Sequence, residues 1–255
     1  MHSQNRILKY ADCYLTLIFI TTFISQPALG EETTWPEPVE DNQPFSMVIA
    51  DQLEYRNNEG RDTLRWDIQG WYGTDYNKFW TKFEGEDQTA SNSGDLELQA
   101  LYSRMIAPFW DFQMGLRYDR LYGSGSDKDR GFAVIGFQGL APYRFEIEPA
   151  MFISDDGDVS ARLTATYEML FTQRLILQPR FETNIAASSA SQFGIGSGFN
   201  DVQLGLRLRY EFRRELAPYI GFSWKRKLGD TADIARSEGE VVDNLALVAG
   251  IRVWF

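Results

Sequence analysis

The 255-residue chain carries a net charge of −11, with 44% hydrophobic and 15% aromatic residues, seven of them Trp. So acidic a chain lacks the basic footprint of a nucleic-acid binder. Beyond its first thirty residues no run approaches the roughly 20 apolar residues that a membrane-spanning helix needs.

Residues 1–30 read as a secretory signal: Arg6 and Lys9 start it, Tyr14 to Ile24 form an apolar core, and Ala28-Leu29-Gly30 is a small-x-small cleavage site. An uncleaved anchor is the alternative, but the apolar core is short for one. Cleavage after Gly30 would remove His2 and Cys13, the only histidine and cysteine of the chain. The remainder would then hold no disulfide, no thiolate or imidazole metal ligand and no nucleophile–histidine pair. That argues against an outer-membrane phospholipase, acyltransferase or protease working through histidine, so the expectation is a protein without enzymatic activity. Arg6, Lys9 and Asp12 together carry +1, which leaves −12 on the remainder of a chain whose total is −11. Residues 31–45 are acidic and proline-rich and read as a lead segment without a core of its own.

From residue 46 to 255 the chain breaks into about twelve strand-length runs separated by turn chemistry. Phe112, Met114, Leu116 and Tyr118 alternate with Gln113, Gly115, Arg117 and Asp119; Val202, Leu204, Leu206, Leu208 and Tyr210 alternate with Gln203, Gly205, Arg207 and Arg209. A period of two separates these sets, whereas a helical period would mix them. Short connections near Gly73–Asp75, Ala107-Pro108, Ala141-Pro142, Thr172-Gln173 and Arg214–Leu216 alternate with mostly longer polar ones at 57–60, 85–93, 123–130, 155–158, 188–198 and 229–242. Asp155-Asp156-Gly157-Asp158 reads as a hairpin turn, with a hard-cation site as the alternative. The final run, Leu245 to Phe255, alternates and stops on an aromatic residue, like the C-terminal signal read by the barrel-assembly machinery. The predicted fold is all-β: a transmembrane antiparallel up-and-down β-barrel. A soluble sandwich or lipocalin-like barrel would show the same alternation; charges in nearly every strand, the alternating loop lengths and the terminal Phe255 together weigh against it.

In a membrane barrel the polar face lines the lumen. Parity places Arg65 and Asp67 there, then Lys78, Lys82 and Glu84, then Glu97, then Asp111, Arg117 and Asp119. Arg144, Glu146 and Glu148 follow, then Arg162 and Glu168, Arg180 and Glu182, Asp201, Arg207, Arg209 and Glu211, and finally Lys225, Lys227 and Arg252. These charges nearly balance, so they either pair to fill the interior or line a narrow solute path. Excess acid then falls to the lead and loops, with Glu86, Asp87 and Asp155 among the loop residues. Parity also sends Trp71 and Trp80 inward and Arg104 outward.

The run Trp66-Asp67-Ile68-Gln69-Gly70-Trp71-Tyr72-Gly73-Thr74-Asp75-Tyr76-Asn77-Lys78-Phe79-Trp80 resembles the hallmark of the copper resistance protein B family. Pro108-Phe109-Trp110-Asp111-Phe112-Gln113-Met114-Gly115-Leu116-Arg117-Tyr118-Asp119, Gly136–Tyr143, Glu215–Tyr219 and Arg252–Phe255 match further signatures of that family. The resemblance implies a barrel in the outer membrane of a Gram-negative cell, in contact with lipid and lipopolysaccharide, that contributes to copper tolerance by binding or exporting copper. It also implies periplasmic copper proteins as partners. Family members typically carry a Met- and His-rich segment before the barrel; residues 31–45 hold neither residue type. The remaining thioethers that parity does not send to lipid are Met47 and Met105, the candidate copper ligands, since soft donors suit copper. A general small-solute porin without metal preference is the alternative function.

Overall fold

The computed structural model describes residues 43–91, 93–123 and 127–255, so the expected signal and all but the end of the lead lie outside the described residues. Thirteen strands follow in order: β1 (Phe45–Asn57), β2 (Thr63–Gly73), β3 (Asn77–Gln88), β4 (Gly94–Ala107), β5 (Trp110–Tyr122), β6 (Lys128–Ala141), β7 (Phe145–Ser154), β8 (Val159–Tyr167), β9 (Met169–Leu170), β10 (Leu175–Ala186), β11 (Gly198–Tyr210), β12 (Leu216–Lys227) and β13 (Asp243–Trp254). β8 and β9 both pair with β10 and form one pass interrupted at Glu168, so there are twelve passes. Every neighbour is antiparallel, and β13 pairs with β1 as well as with β12, which closes the sheet. At the seam Phe255 and Val48 exchange both backbone hydrogen bonds, at 2.9 and 3.0 Å. Closure leaves no unpaired edge in lipid, where an unsatisfied backbone group would be costly.

Connections at 74–76, 108–109, 142–144, 171–174 and 211–215 lie at one end, and those at 58–62, 89–93, 123–127, 155–158, 187–197 and 228–242 at the other. By the rule that barrels keep their short turns in the periplasm, the chain enters β1 and leaves β13 at the periplasmic end. Two loops depart from expectation. β3 runs through Glu86 and Asp87 to Gln88, because Glu86 continues the inward alternation of Lys82 and Glu84. The 228–242 connection, read as plain loop, contains helix α1 (Gly229–Ser237), which buries Thr231, Ala232 and Ala235. Asp155–Asp158 is a hairpin turn: Gly157 sits at φ 88°, and its N–H donates to the Ser154 carbonyl at 2.9 Å.

The distribution of polarity inverts that of a soluble protein. Leu116 is 69% exposed, Leu247 54% and Leu204 47%, whereas Arg207 and Arg209 are 2% and 1% exposed. Outward apolar side chains therefore face the bilayer and the charges face the lumen. Among the described residues no helix is long and apolar enough to cross a membrane.

Candidate functional site in the barrel lumen

Four acids stand side by side across four consecutive strands. Asp67 on β2 lies in register with Glu84 on β3, Glu84 with Glu97 on β4, and Glu97 with Asp119 on β5. Directly opposed like charges destabilise a sheet, so the row needs cations. Two come from the far wall. Arg180 of β10 reaches Asp67 at 3.1 Å, and Arg162 of β8 reaches Glu97 at 2.7 Å and Glu84 at 3.7 Å. Arg117 adds contacts to Glu97 at 2.7 Å and Asp119 at 2.6 Å. The interior is thus an acidic wall on β2–β5 tied across the lumen to arginines of β8 and β10.

Toward the longer loops a second knot centres on Glu54, whose side chain is fully buried. Arg207 donates two hydrogen bonds to it, each 2.9 Å, Arg56 donates at 2.7 Å, and the Tyr219 hydroxyl donates at 3.0 Å. The planar guanidinium fork suits this bidentate role. Arg56 and Arg65 also flank Glu86, at 3.4 and 3.9 Å. Glu86, expected among the loop acids, is therefore a lumen residue. So is Arg130, which is buried in β6 and pairs with Asp158.

Toward the short turns Lys82 pairs with Glu148 at 2.6 Å, Lys78 with Asp111 at 2.8 Å, Arg252 with Asp51 at 2.8 Å, and Arg209 with Glu168 at 2.8 Å. Glu182 holds Arg180 at 3.2 Å, Asn184 donates to Asp201 at 3.0 Å, and Glu211 lies 3.5 Å from Arg209. Lys225 lies beyond buried Ser223 at the loop end of β12 and is exposed, without an ion pair among the described residues. Arg144 is a correction. It sits in the turn Pro142–Arg144 at φ 66° and is exposed, because the strand ends before it and strand parity no longer applies.

Trp71 and Trp80 do face inward, 6.3 Å apart, and Trp80 packs with Leu101, Phe132, Val134 and Phe152 in an apolar cluster on the lumen side. Phe152 lies under the guanidinium groups of Arg117, at 4.4 Å, and Arg162, at 5.5 Å. Arg104 is exposed beside the short turn, in register with Asn77.

Below the acidic row is a cavity of about 170 Å³ whose lining includes Met47, Asp51, Trp80, Lys82, Glu146, Glu148 and Arg252. Glu146 has no ion pair among the described residues, while its neighbour Glu148 is taken by Lys82. Met105 is partly buried, in register with Asp111 on β5. Met47 and Met105 stand on β1 and β4, with β2 and β3 between them. Among the described residues no three Cys, His, Asp or Glu side chains are grouped as a metal site would require. The donors present do not fit a resident copper centre, which takes clustered ligands.

The family description "copper resistance protein B precursor" matches residues 44–255, the whole of the barrel. The chain belongs to this family. It is 41% identical over 209 residues to the copper resistance protein B of Escherichia coli, covering 82% of this chain and 69% of that protein. It is 39% identical over 217 residues to the copper resistance protein B homolog of Pseudomonas syringae pv. tomato (strain ATCC BAA-871 / DC3000), covering 85% of this chain and 72% of that one. Among solved structures, the barrel is similar to the NanC porin (TM-score 0.53, 10% identity, 81% of this chain and 98% of that). It is likewise similar to the KdgM porin (TM-score 0.51, 10% identity, 82% and 98%). At that identity the likeness is one of fold. This copper resistance protein B family member is an outer-membrane barrel of a Gram-negative cell, and its family is not an enzyme family.

Proposed function

We propose that this barrel contributes to copper tolerance without an enzymatic step, by holding copper ions transiently in the periplasmic half of its lumen. The observation that carries the reading is the crossing of the lumen by Arg162–Glu97 and Arg180–Asp67, which leaves the cavity beneath as the space for a solute. In that cavity the Glu146 carboxylate has no ion pair among the described residues, and Met47 supplies a thioether. The two donors line one cavity from different walls, β7 and β1, so they can offer only a weak and reversible hold, as suits a protein that must release its cargo. Delivery by a periplasmic copper protein and assembly through the terminal strand belong to the same reading. Free passage of general solutes fits less well with cross-lumen ion pairs.

The test is growth of a deletion strain across a copper series, complemented with the wild-type chain or with Glu146→Gln. The expected result is raised copper sensitivity on deletion, full rescue by the wild type and partial rescue by the variant. Unchanged growth of the deletion strain would remove the copper role and leave the barrel fold untouched. Metal analysis of the purified mature protein after copper exposure should find less than one tightly retained ion per chain.

A further inference from the structure

The lumen arginines are almost all paired, whereas five exposed arginines at the periplasmic rim, Arg104, Arg144, Arg174, Arg213 and Arg214, have no ion pair among the described residues, and three of these gather at one groove. Arg174 closes the 171–174 turn, and Arg213 and Arg214 lie in the neighbouring 211–215 turn. All three are exposed, and none has an ion pair or side-chain hydrogen bond among the described residues. The two turns are stitched together by their backbones: the Glu211 N–H donates to the Arg174 carbonyl at 2.8 Å. β13 fixes the second turn from its other side, since the Trp254 indole N–H donates to the Arg214 carbonyl at 2.6 Å and its backbone N–H to Glu215 at 3.1 Å. Between the turns lies a groove of about 530 Å³ lined by Leu170, Gln173, Arg174, Glu211, Phe212, Arg213 and Arg214.

The groove lies where the lipid-facing surface meets water. Phe212 is 63% exposed and Leu170 53%, and Phe212 extends the outward column of Leu204, Leu206, Leu208 and Tyr210. Its one acid, Glu211, is drawn toward buried Arg209 at 3.5 Å. Three guanidinium groups held on a fixed backbone above apolar side chains match an anionic headgroup whose acyl chains run down the wall. We infer that this groove binds the phosphodiester of an anionic phospholipid from the periplasmic leaflet. The inference is independent of any role in copper tolerance.

The test is native mass spectrometry of the full mature chain, released from detergent with added phosphatidylglycerol or phosphatidylethanolamine. Phosphatidylglycerol should remain bound in preference. The variant Arg174→Gln/Arg213→Gln/Arg214→Gln should lose that retention by about tenfold or more, since each arginine near a surface contributes roughly 1 kcal/mol. Arg226→Gln/Arg236→Gln, at the opposite end of the barrel, should change nothing. Gel-shift heat modifiability would show each variant folded. Equal retention of the two lipids by the wild type would overturn the inference, as would undiminished retention by the triple variant. Displacement of the lipid by inorganic phosphate would overturn the assignment to a lipid in favour of a free anion.

Discussion

Above the row Asp67–Glu84–Glu97–Asp119, toward the longer loops, the lumen is packed with paired charges: Glu54 is enclosed by Arg207, Arg56 and Tyr219, and Arg130 is clamped between Asp158 and the Phe193 ring at 4.9 Å. Below that row the same kinds of residue leave a cavity, and Glu146 has no ion pair among the described residues. Composition barely differs between the halves; connectivity does. In the upper half each buried acid accepts from several donors, so the ions repay their desolvation through multiple hydrogen bonds. In the lower half the pairs are mostly single, as in Lys82–Glu148 and Arg252–Asp51, and the remaining space is the part of the interior able to admit a solute.

The contrast can be broken most severely at Glu54. Replacing it by Leu removes the carboxylate that Arg207 and Arg56 share, leaves buried Arg207 with only the Gln52 amide, and should cost about 3–5 kcal/mol, read as a lowered urea midpoint of the barrel refolded in vesicles. Glu148→Gln in the lower half should cost clearly less, because Lys82 can turn toward the cavity. Equal losses would mean that the halves are energetically alike. The double variant Arg162→Ala/Arg180→Ala removes the ties across the middle and exposes the acidic row. It should raise the conductance of the barrel in a planar bilayer well above that of the wild type, with selectivity for cations. Trp80→Phe deletes an indole N–H that has no partner among the described residues, so the change should stay within about 1 kcal/mol or stabilise. Smallest of all is Arg236→Ala on α1, whose pair with Asp233 is 60% and 74% exposed. A change within about 0.5 kcal/mol is expected there.

Most of the barrel was legible because a period of two survives in strands such as β5 and β11, and because loop lengths alternate. Legibility failed wherever the period broke. In β1 the register shifts at Ala50–Gln52, so that Asp51 and Gln52 both face inward. That bulge hid Glu54 and Arg56, the centre of the tightest knot, from a parity count. Arg144 failed for the opposite reason, since parity was carried past the end of a strand into a turn. Helix α1 carries no strong apolar stripe, and its burial depends on a neighbouring loop, as when Gly196 donates its N–H to the Thr231 hydroxyl at 2.8 Å. The facing walls of the lumen were not legible at all. A list of inward charges near balance does not say that acids gather on β2–β5 and their partners on β8 and β10, because that follows from register around the closed sheet. Parity can single out Met47 and Met105 as the thioethers not sent to lipid, but their separation on β1 and β4 is also a matter of register.

Ion pairs spanning the middle of the barrel are expected to close it to free solute flow. Single-channel recording of the purified wild-type barrel in a planar bilayer tests this directly. Electrical silence, or only rare brief openings, is the predicted result; a steady ohmic conductance that scales with salt would contradict it.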